Sequence, residues 1–145
     1  EADLVLTAKP PQGTTHVVID TPGGINGWRL KEVILRADKV IVPVMPSLFD
    51  MQATQNFLQQ LVSITQGLPT DVRVIGNRVD ARTISASNLR KFVESLDVQV
   101  LSYLRDTQYY LHMAAHGLSL FDITPSKVAK DLEQWQPICE WLDQD

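Results

Sequence analysis

The stretch His16-Val17-Val18-Ile19-Asp20-Thr21-Pro22-Gly23-Gly24 decides how the rest of the chain is interpreted. Its short apolar run has no polar alternation, which is typical of a strand buried on both faces of a parallel sheet. Asp20 then stands at the carboxyl end of that strand, where open α/β sheets bind their ligands. The sequence therefore predicts a buried strand over residues 16–20 that ends in a carboxylate.

Two consecutive glycines follow this carboxylate. Their backbone N–H groups can approach an anion because no Cβ stands in the way. A strand-end carboxylate with a glycine turn suits a magnesium–phosphate site, in which Asp20 holds Mg²⁺ through water and Gly23 or Gly24 meets the terminal phosphate. The same residues also fit ordinary turn chemistry, because Pro-Gly-Gly is a common loop sequence. Both interpretations stay open on these residues alone.

The composition is that of one ordinary globular domain. The 145 residues can bury a sizeable core, and 44% hydrophobic and 21% charged residues are usual values for a globular protein. The single cysteine, Cys139, excludes an internal disulfide, supports no metal site and is typical of a reducing cytoplasm. No apolar run approaches membrane-spanning length, and the acidic start of the chain lacks the basic region of a signal peptide.

Apolar patterns of strand and helix type alternate along the chain. They predict further strands over residues 39–44, 72–77 and 98–102, and helices over residues 28–37, 50–66, 85–96, 107–115 and from 125 onward. We expect Asp50 to cap the second helix and Thr124-Pro125 to open the last one. The alternation predicts a single α/β domain over residues 1–145, a doubly wound, mostly parallel sheet flanked by helices, whose first strand and helix are missing or reduced.

The middle of the chain is more basic than the rest. Residues 71–105 carry six basic and four acidic side chains, whereas the whole chain has a net charge of −4. A local excess of this kind suits a phosphate-binding face for non-specific DNA, although ordinary solvated charges give the same count. The candidate DNA-contacting residues are Arg78, Arg82, Arg90, Lys91 and Arg105.

Four segments, in this order, resemble the ParA/MinD family of deviant-Walker P-loop ATPases. Residues 17–24 are similar to the Walker B strand and switch II of that family, and residues 37–50 to its next strand and the following helix start. Residues 74–80 resemble the strand that ends in a base-contacting Asn, and residues 114–122 the family's Ala-x-x-Gly-x-x-hydrophobic segment. The resemblance spans most of the chain.

The resemblance implies a P-loop NTPase-like fold and a function. It implies an ATP- or ADP-binding protein with Mg²⁺ that is cytoplasmic and nucleoid-associated. Such a protein partitions a plasmid, a chromosome or another large cargo by ATP-gated homodimerisation and non-specific DNA binding, with a ParB-like or cargo-adaptor partner. It places Mg²⁺ at Asp20 through water, and it implies that the nucleotide-binding residues are Asp20, Pro22, Gly23, Gly24, Asn77 and Asp106.

Two of these positions have competing interpretations. The amide of Asn77 offers both a donor and an acceptor to adenine, but a turn Asn can instead bond its own backbone. Asp106 follows the last predicted strand, where the family often touches the base or ribose, but it can instead cap the next helix.

The chain departs from the family pattern at the P-loop. That loop ends in Gly-Lys-Ser/Thr, and no glycine in these 145 residues is followed by a lysine. The chain therefore resembles the C-terminal two-thirds of such an ATPase, holds no catalytic residue and is predicted to be inactive alone. The alternatives are a non-catalytic binding module of the same fold that acts through protein contacts, and an unrelated flavodoxin-like domain. The acidic stretch over residues 140–145 differs from the basic membrane tail of MinD-type proteins, so we expect no membrane partner.

His112 and His116 are four residues apart on a predicted helix, a spacing that metal sites use. Neither a third ligand nor an H-E-x-x-H motif accompanies them. The sequence alone therefore favours core or surface histidines at both positions.

Overall fold

Residues 9–144 are described by the structure, a computed structural model, and they contain three strands with helices around them. The strands are β1 (Lys39–Val44), β2 (Asp71–Val79) and β3 (Val100–Arg105), and the helices are α1 (Gly27–Ile34), α2 (Leu48–Thr65), α3 (Ile84–Glu94), α4 (Tyr109–Ala114) and α5 (Pro125–Leu142), with a short 3₁₀ helix at Leu120–Asp122. Both strand pairs are parallel, in the order β1-β2-β3. The predicted α/β class with a parallel sheet is confirmed.

Helices cover both faces of this sheet. On one face, α1, α2 and α3 bury the inward side chains of the strands; the core residues there include Leu30, Val42, Val44, Leu58, Leu61, Val74, Leu89 and Val93. On the other face, Ile138 of α5 packs against Ile75 and Leu104. A third cluster joins α4, the 3₁₀ helix and α5 through Met113 and Val128. The sheet is therefore the middle layer of three, and its carboxyl-end edge is free to carry a site.

The segment over residues 16–20 is not a strand, so the prediction of a buried strand ending in Asp20 is wrong. Val17 is 63% exposed and Val18 is 91% exposed. An apolar run becomes a strand only where a neighbour accepts and donates its ladder hydrogen bonds. None of the three described strands pairs with this segment. The pattern of the residues identifies a candidate strand but not the partner it needs.

The second helix begins earlier than predicted. Ser47, in an extended conformation, is its N-cap, and the Ser47 hydroxyl oxygen accepts a hydrogen bond from the Asp50 backbone N–H at 3.1 Å. The prediction of Asp50 as the cap is therefore wrong, because the first turn already contains it, where its charge favours the helix dipole. The last helix does begin with Pro125 after Thr124, as predicted.

The buried residues of α5 differ from the stripe that its apolar spacing predicts, which consists of Val128, Leu132, Trp135, Cys139 and Leu142. Val128 is buried as expected, but Asp131, Ile138 and Trp141 are also buried, whereas Cys139 is only half-buried. Asp131 was not expected inside because carboxylates are almost never fully buried unless they are paired. Among residues 9–144, no helix is long and apolar enough to cross a membrane.

Candidate functional site

The carboxyl end of β2 carries a β-bulge at Asn77 and Arg78. Gly76 pairs with Tyr103 and Val79 with Arg105, so β2 has one residue more than β3 between these pairs. Arg78 has a φ of 52°, in the left-handed region that non-glycine residues rarely adopt. Bulges of this kind redirect side chains and occur often beside functional sites. The bulge lies at the position where the resemblance implies a base contact.

Asn77 is half-buried within β2. Its side-chain oxygen accepts a hydrogen bond from the backbone N–H of Arg78 at 3.0 Å. This is the backbone contact of the alternative interpretation, and it holds the amide in one orientation. No described residue accepts a hydrogen bond from the Asn77 amide nitrogen, so that nitrogen remains available as a donor.

Asp106 reaches the same edge from β3. Its carboxylate is 3.3 Å from Nε of Arg78, and its backbone N–H donates to the Val79 carbonyl at 3.4 Å. The N-cap of α4 is Gln108, so Asp106 does not cap that helix. Both partners of the ion pair are substantially exposed, at 63% and 47%, and such pairs stabilise a fold little. The structure thus brings the end of β2 and Asp106 together without committing either charge to the core.

A cavity of about 280 Å³ lies just beyond Asp106. Its lining residues are Thr107, Gln108, Tyr109 and His112. Its volume is at the lower limit of small-ligand pockets, and aromatic and polar groups line it together.

The Pro22-Gly23-Gly24 segment forms an ordered turn. The N–H of Ile25 donates to the Pro22 carbonyl at 3.3 Å, and Gly24 has the positive φ, 75°, that a type II turn needs at its third position. Ile25 then packs against the core under α1, α2 and α3. The N–H groups of Gly23 and Gly24 donate to no described acceptor, which is the state an anion-binding turn requires.

Asp20 precedes this turn as an exposed side chain. No hydrogen bond or ion pair links it, or the glycine turn, to Asn77 or Asp106 within residues 9–144. The structure therefore brings the end of β2 and Asp106 together at the sheet edge.

Three of the five predicted DNA-contacting residues are arginines already paired with carboxylates. Arg78 pairs with Asp106, as above. Arg82 donates from Nε and a terminal nitrogen to Asp80, both at 2.9 Å. These side-chain bonds and a backbone bond from Arg82 lower the pKa of Asp80 to about 2, and the same side-chain bonds raise the pKa of Arg82.

Arg105 is the most strongly engaged of the three. Its guanidinium donates two hydrogen bonds of 2.7 Å to Asp131, whose side chain is fully buried. The bonds to Asp131 raise the pKa of Arg105 although burial opposes this. The backbone N–H of Arg105 also donates to Gln134 at 2.9 Å. Arg105 is thus a packing and pairing residue that joins β3 to α5, and this argues against its use on a phosphate backbone.

Arg90 and Lys91 lie on the exposed side of α3. The Arg90 guanidinium is 4.4 Å from the centre of the Tyr103 ring, a cation–π contact. Burial raises the pKa of Tyr103, although the charge of Arg90 opposes this. No described carboxylate pairs with Lys91. Of the five predicted DNA-contacting residues, Arg90 and Lys91 are the two that form no ion pair with a described carboxylate.

Sequence reasoning missed Tyr103 and Asp131, because neither lies in a motif. Tyr103 lies opposite Gly76 in the sheet. Its ring occupies the space that a Cβ at residue 76 would fill, and only the strand register reveals this. Asp131 could be suspected only from its spacing on the apolar stripe of α5.

The larger cavity, about 530 Å³, lies at the opposite edge of the sheet. It is an open groove between the end of α2, the start of β2 and residues 96–99. Parallel sheets bind ligands at the carboxyl ends of their strands, so the smaller cavity beside Asp106 is the better candidate for a ligand site. No group of three or more metal-ligating side chains occurs within residues 9–144.

The comparisons with known proteins give one distant relative. Over 109 residues, 74% of this chain and 50% of the other, the chain is 23% identical to the "Maintenance of carboxysome distribution protein A" of Halothiobacillus neapolitanus. The chain therefore spans about half the length of the curated relative it matches. No protein-family profile and no solved structure matches it. The chain is thus distantly similar to a protein named for distributing carboxysomes, which gives loose support to the ParA/MinD resemblance.

Proposed function

We propose that this chain is part of a ParA-like ATPase that positions a large cargo. The observation that carries the proposal is the similarity over 109 residues to a protein named for maintaining carboxysome distribution. The parallel sheet, with Asn77 and Asp106 at its carboxyl-end edge, is consistent with it.

Within this proposal, the edge formed by Asn77 and Asp106 receives the base and ribose of ATP. The Asn77 amide nitrogen donates to the base, and Asp106 exchanges its exposed partner Arg78 for a ribose hydroxyl. Asp20 holds Mg²⁺ through water and the glycine turn meets the terminal phosphate. The proposed partners are a second copy of the protein in an ATP-gated homodimer, an adaptor protein and non-specific DNA. The proposed location is the nucleoid.

The 145-residue chain by itself is expected to show no ATP hydrolysis above background. Phosphoryl transfer depends on positioning and electrostatics, and the Gly-Lys loop that supplies both is not among these residues. Steady-state phosphate release should be measured for this chain and for the whole reading frame that encodes it. Hydrolysis by the whole product that Asp20→Ala abolishes supports the ATPase. Hydrolysis by the 145 residues alone would contradict the proposal that catalysis requires a Gly-Lys loop outside these residues.

A non-catalytic binding module of the same fold is the second candidate. It is favoured by the exposed, non-strand conformation of residues 16–20, where the ATPase interpretation predicts a buried strand that ends in Asp20. The reading frame upstream of residue 1 distinguishes the two candidates. A glycine-rich loop ending in Gly-Lys at a strand end would indicate the ATPase, and a complete frame without one would indicate the module.

DNA binding by the whole protein is expected to depend on Arg90 and Lys91 more than on Arg82 or Arg105. The latter two already donate to Asp80 and Asp131. Affinity for duplexes of unrelated sequence should be measured over a series of salt concentrations with ATP present. Each change to alanine at Arg90 or Lys91 should reduce the salt slope by roughly one unit, equally on every sequence. Matched Arg82→Ala should bind like the wild type. Wild-type affinity in both Arg90→Ala and Lys91→Ala would refute this basic surface.

A further inference from the structure

The two histidines of α4 and its final turn lie side by side on the surface. The ring centres of His112 and His116 are 4.8 Å apart, with the ring planes inclined at 51°. Both residues are exposed, so neither serves as a core residue. Both histidines lie on the surface, one of the two alternatives that the sequence left open, and their spacing alone does not reveal the distance between the rings.

One hydrogen bond fixes the tautomer of His116. Its Nδ1 is 2.8 Å from the backbone carbonyl oxygen of His112. A carbonyl can only accept, so Nδ1 carries the proton and the neutral ring keeps its lone pair on Nε2. Histidines that bind metals commonly donate their other ring N–H to a carbonyl in this way, which orients the ring and raises the basicity of the ligating nitrogen. The ring nitrogens of His112 have no partner among the described residues.

The separation of the rings matches two imidazoles bound to one ion. Metal–nitrogen distances of about 2.0–2.1 Å put each ring centre roughly 3.2 Å from the ion. Two ring centres 4.8 Å apart then subtend an angle of about 100° at the ion, between the square-planar and tetrahedral values.

We propose that His112 and His116 form a two-histidine site for a divalent transition metal, Zn²⁺, Ni²⁺ or Cu²⁺. Imidazole nitrogen is the ligand these ions prefer, and Cu²⁺ binds the tightest of the three. Water completes the coordination, because no third His, Cys, Asp or Glu joins the pair within residues 9–144. The site is distinct from the proposed magnesium position, since Mg²⁺ prefers oxygen ligands. It also lies beside the cavity next to Asp106, which His112 lines.

The chain supplies its own control, because it contains only three histidines and one cysteine. Ni²⁺ and Zn²⁺ should be titrated calorimetrically into the wild type, His112→Gln, His116→Gln, His16→Gln and Cys139→Ser. Two imidazoles on one ion bind far more tightly than one, so His112→Gln and His116→Gln should each weaken binding roughly tenfold to hundredfold. His16→Gln, Cys139→Ser and excess Mg²⁺ should leave the affinity unchanged.

A second measurement is independent of the variants. Substoichiometric Cu²⁺ added to ¹⁵N-labelled wild type should broaden the amide signals of residues 107–118 first. Broadening that begins elsewhere would overturn the proposal. So would equal affinity of the wild type and a variant that carries both His112→Gln and His116→Gln, or a loss of binding in His16→Gln or Cys139→Ser.

Discussion

Replacing Arg105 with methionine is expected to lower the free energy of unfolding by about 3–5 kcal/mol. The change leaves the carboxylate of Asp131, which is 0% exposed, without the two 2.7 Å hydrogen bonds that satisfy it. No other described side chain donates to that carboxylate. A buried charge without a partner costs far more than the loss of an exposed ion pair. Chemical denaturation followed by tryptophan fluorescence measures the effect.

A double-mutant cycle separates the pair from the packing around it. Asp131→Leu alone should cost less than Arg105→Met, because the Arg105 side chain is 35% exposed and can reach water. The variant with both changes should recover much of the loss, since an apolar pair of similar volume fills the same space. Arg82→Met is the matched control: its pair with Asp80 has the same two-bond geometry on the surface, and its removal should change stability little. Equal losses for Arg105→Met and Arg82→Met would show that burial of Asp131 does not decide the energy.

The sequence predicts the parts of the fold that local patterns control. The runs over residues 39–44 and 72–77 became β1 and most of β2, and Thr124-Pro125 opened α5, because apolar runs and helix caps act over a few residues. The run over residues 16–20 looks equally convincing, yet it is not a strand. A strand forms only beside a neighbouring strand, which can lie anywhere in the chain. The local pattern of apolar residues does not identify that neighbouring strand.

The candidate site shows the same difference between features that local sequence predicts and features that depend on strand pairing. Asn77 was expected at a strand end and Asp106 just after the last strand, and the Arg78–Asp106 pair at 3.3 Å joins the ends of β2 and β3. The bulge that adds one residue at Asn77–Arg78 could not be foreseen, since it appears only when β2 and β3 are compared in register. The roles of these residues toward a nucleotide remain predictions.

Replacing Gly76 with alanine is expected to cost about 1–3 kcal/mol of unfolding free energy, a large effect for one added methyl group. A Cβ at this position would overlap with Cδ1 of Tyr103 and stand 3.1 Å from Cε1. The close atoms include Cδ1 and Cγ, the part of the ring nearest the Tyr103 backbone, so movement of the far end of the ring does not relieve the clash. Gly23→Ala is the matched control: no atom lies within 4 Å of its added Cβ and its φ is not positive, so it should have little effect.

The background of the Gly76 change decides where the strain resides. In a Tyr103→Ala chain the three nearest atoms to the added methyl group are gone. Gly76→Ala should then become neutral or slightly stabilising, since alanine restricts the unfolded chain more than glycine does. The difference between the two backgrounds is the coupling between residues 76 and 103, and thermal unfolding of the four variants measures it. A cost that stays the same without the ring would place the strain in the backbone of β2. In that case the extra methyl group would disturb the bulge at Asn77–Arg78, one residue further along β2. The packing of the Tyr103 ring over Gly76 would then not depend on the absence of a side chain at residue 76.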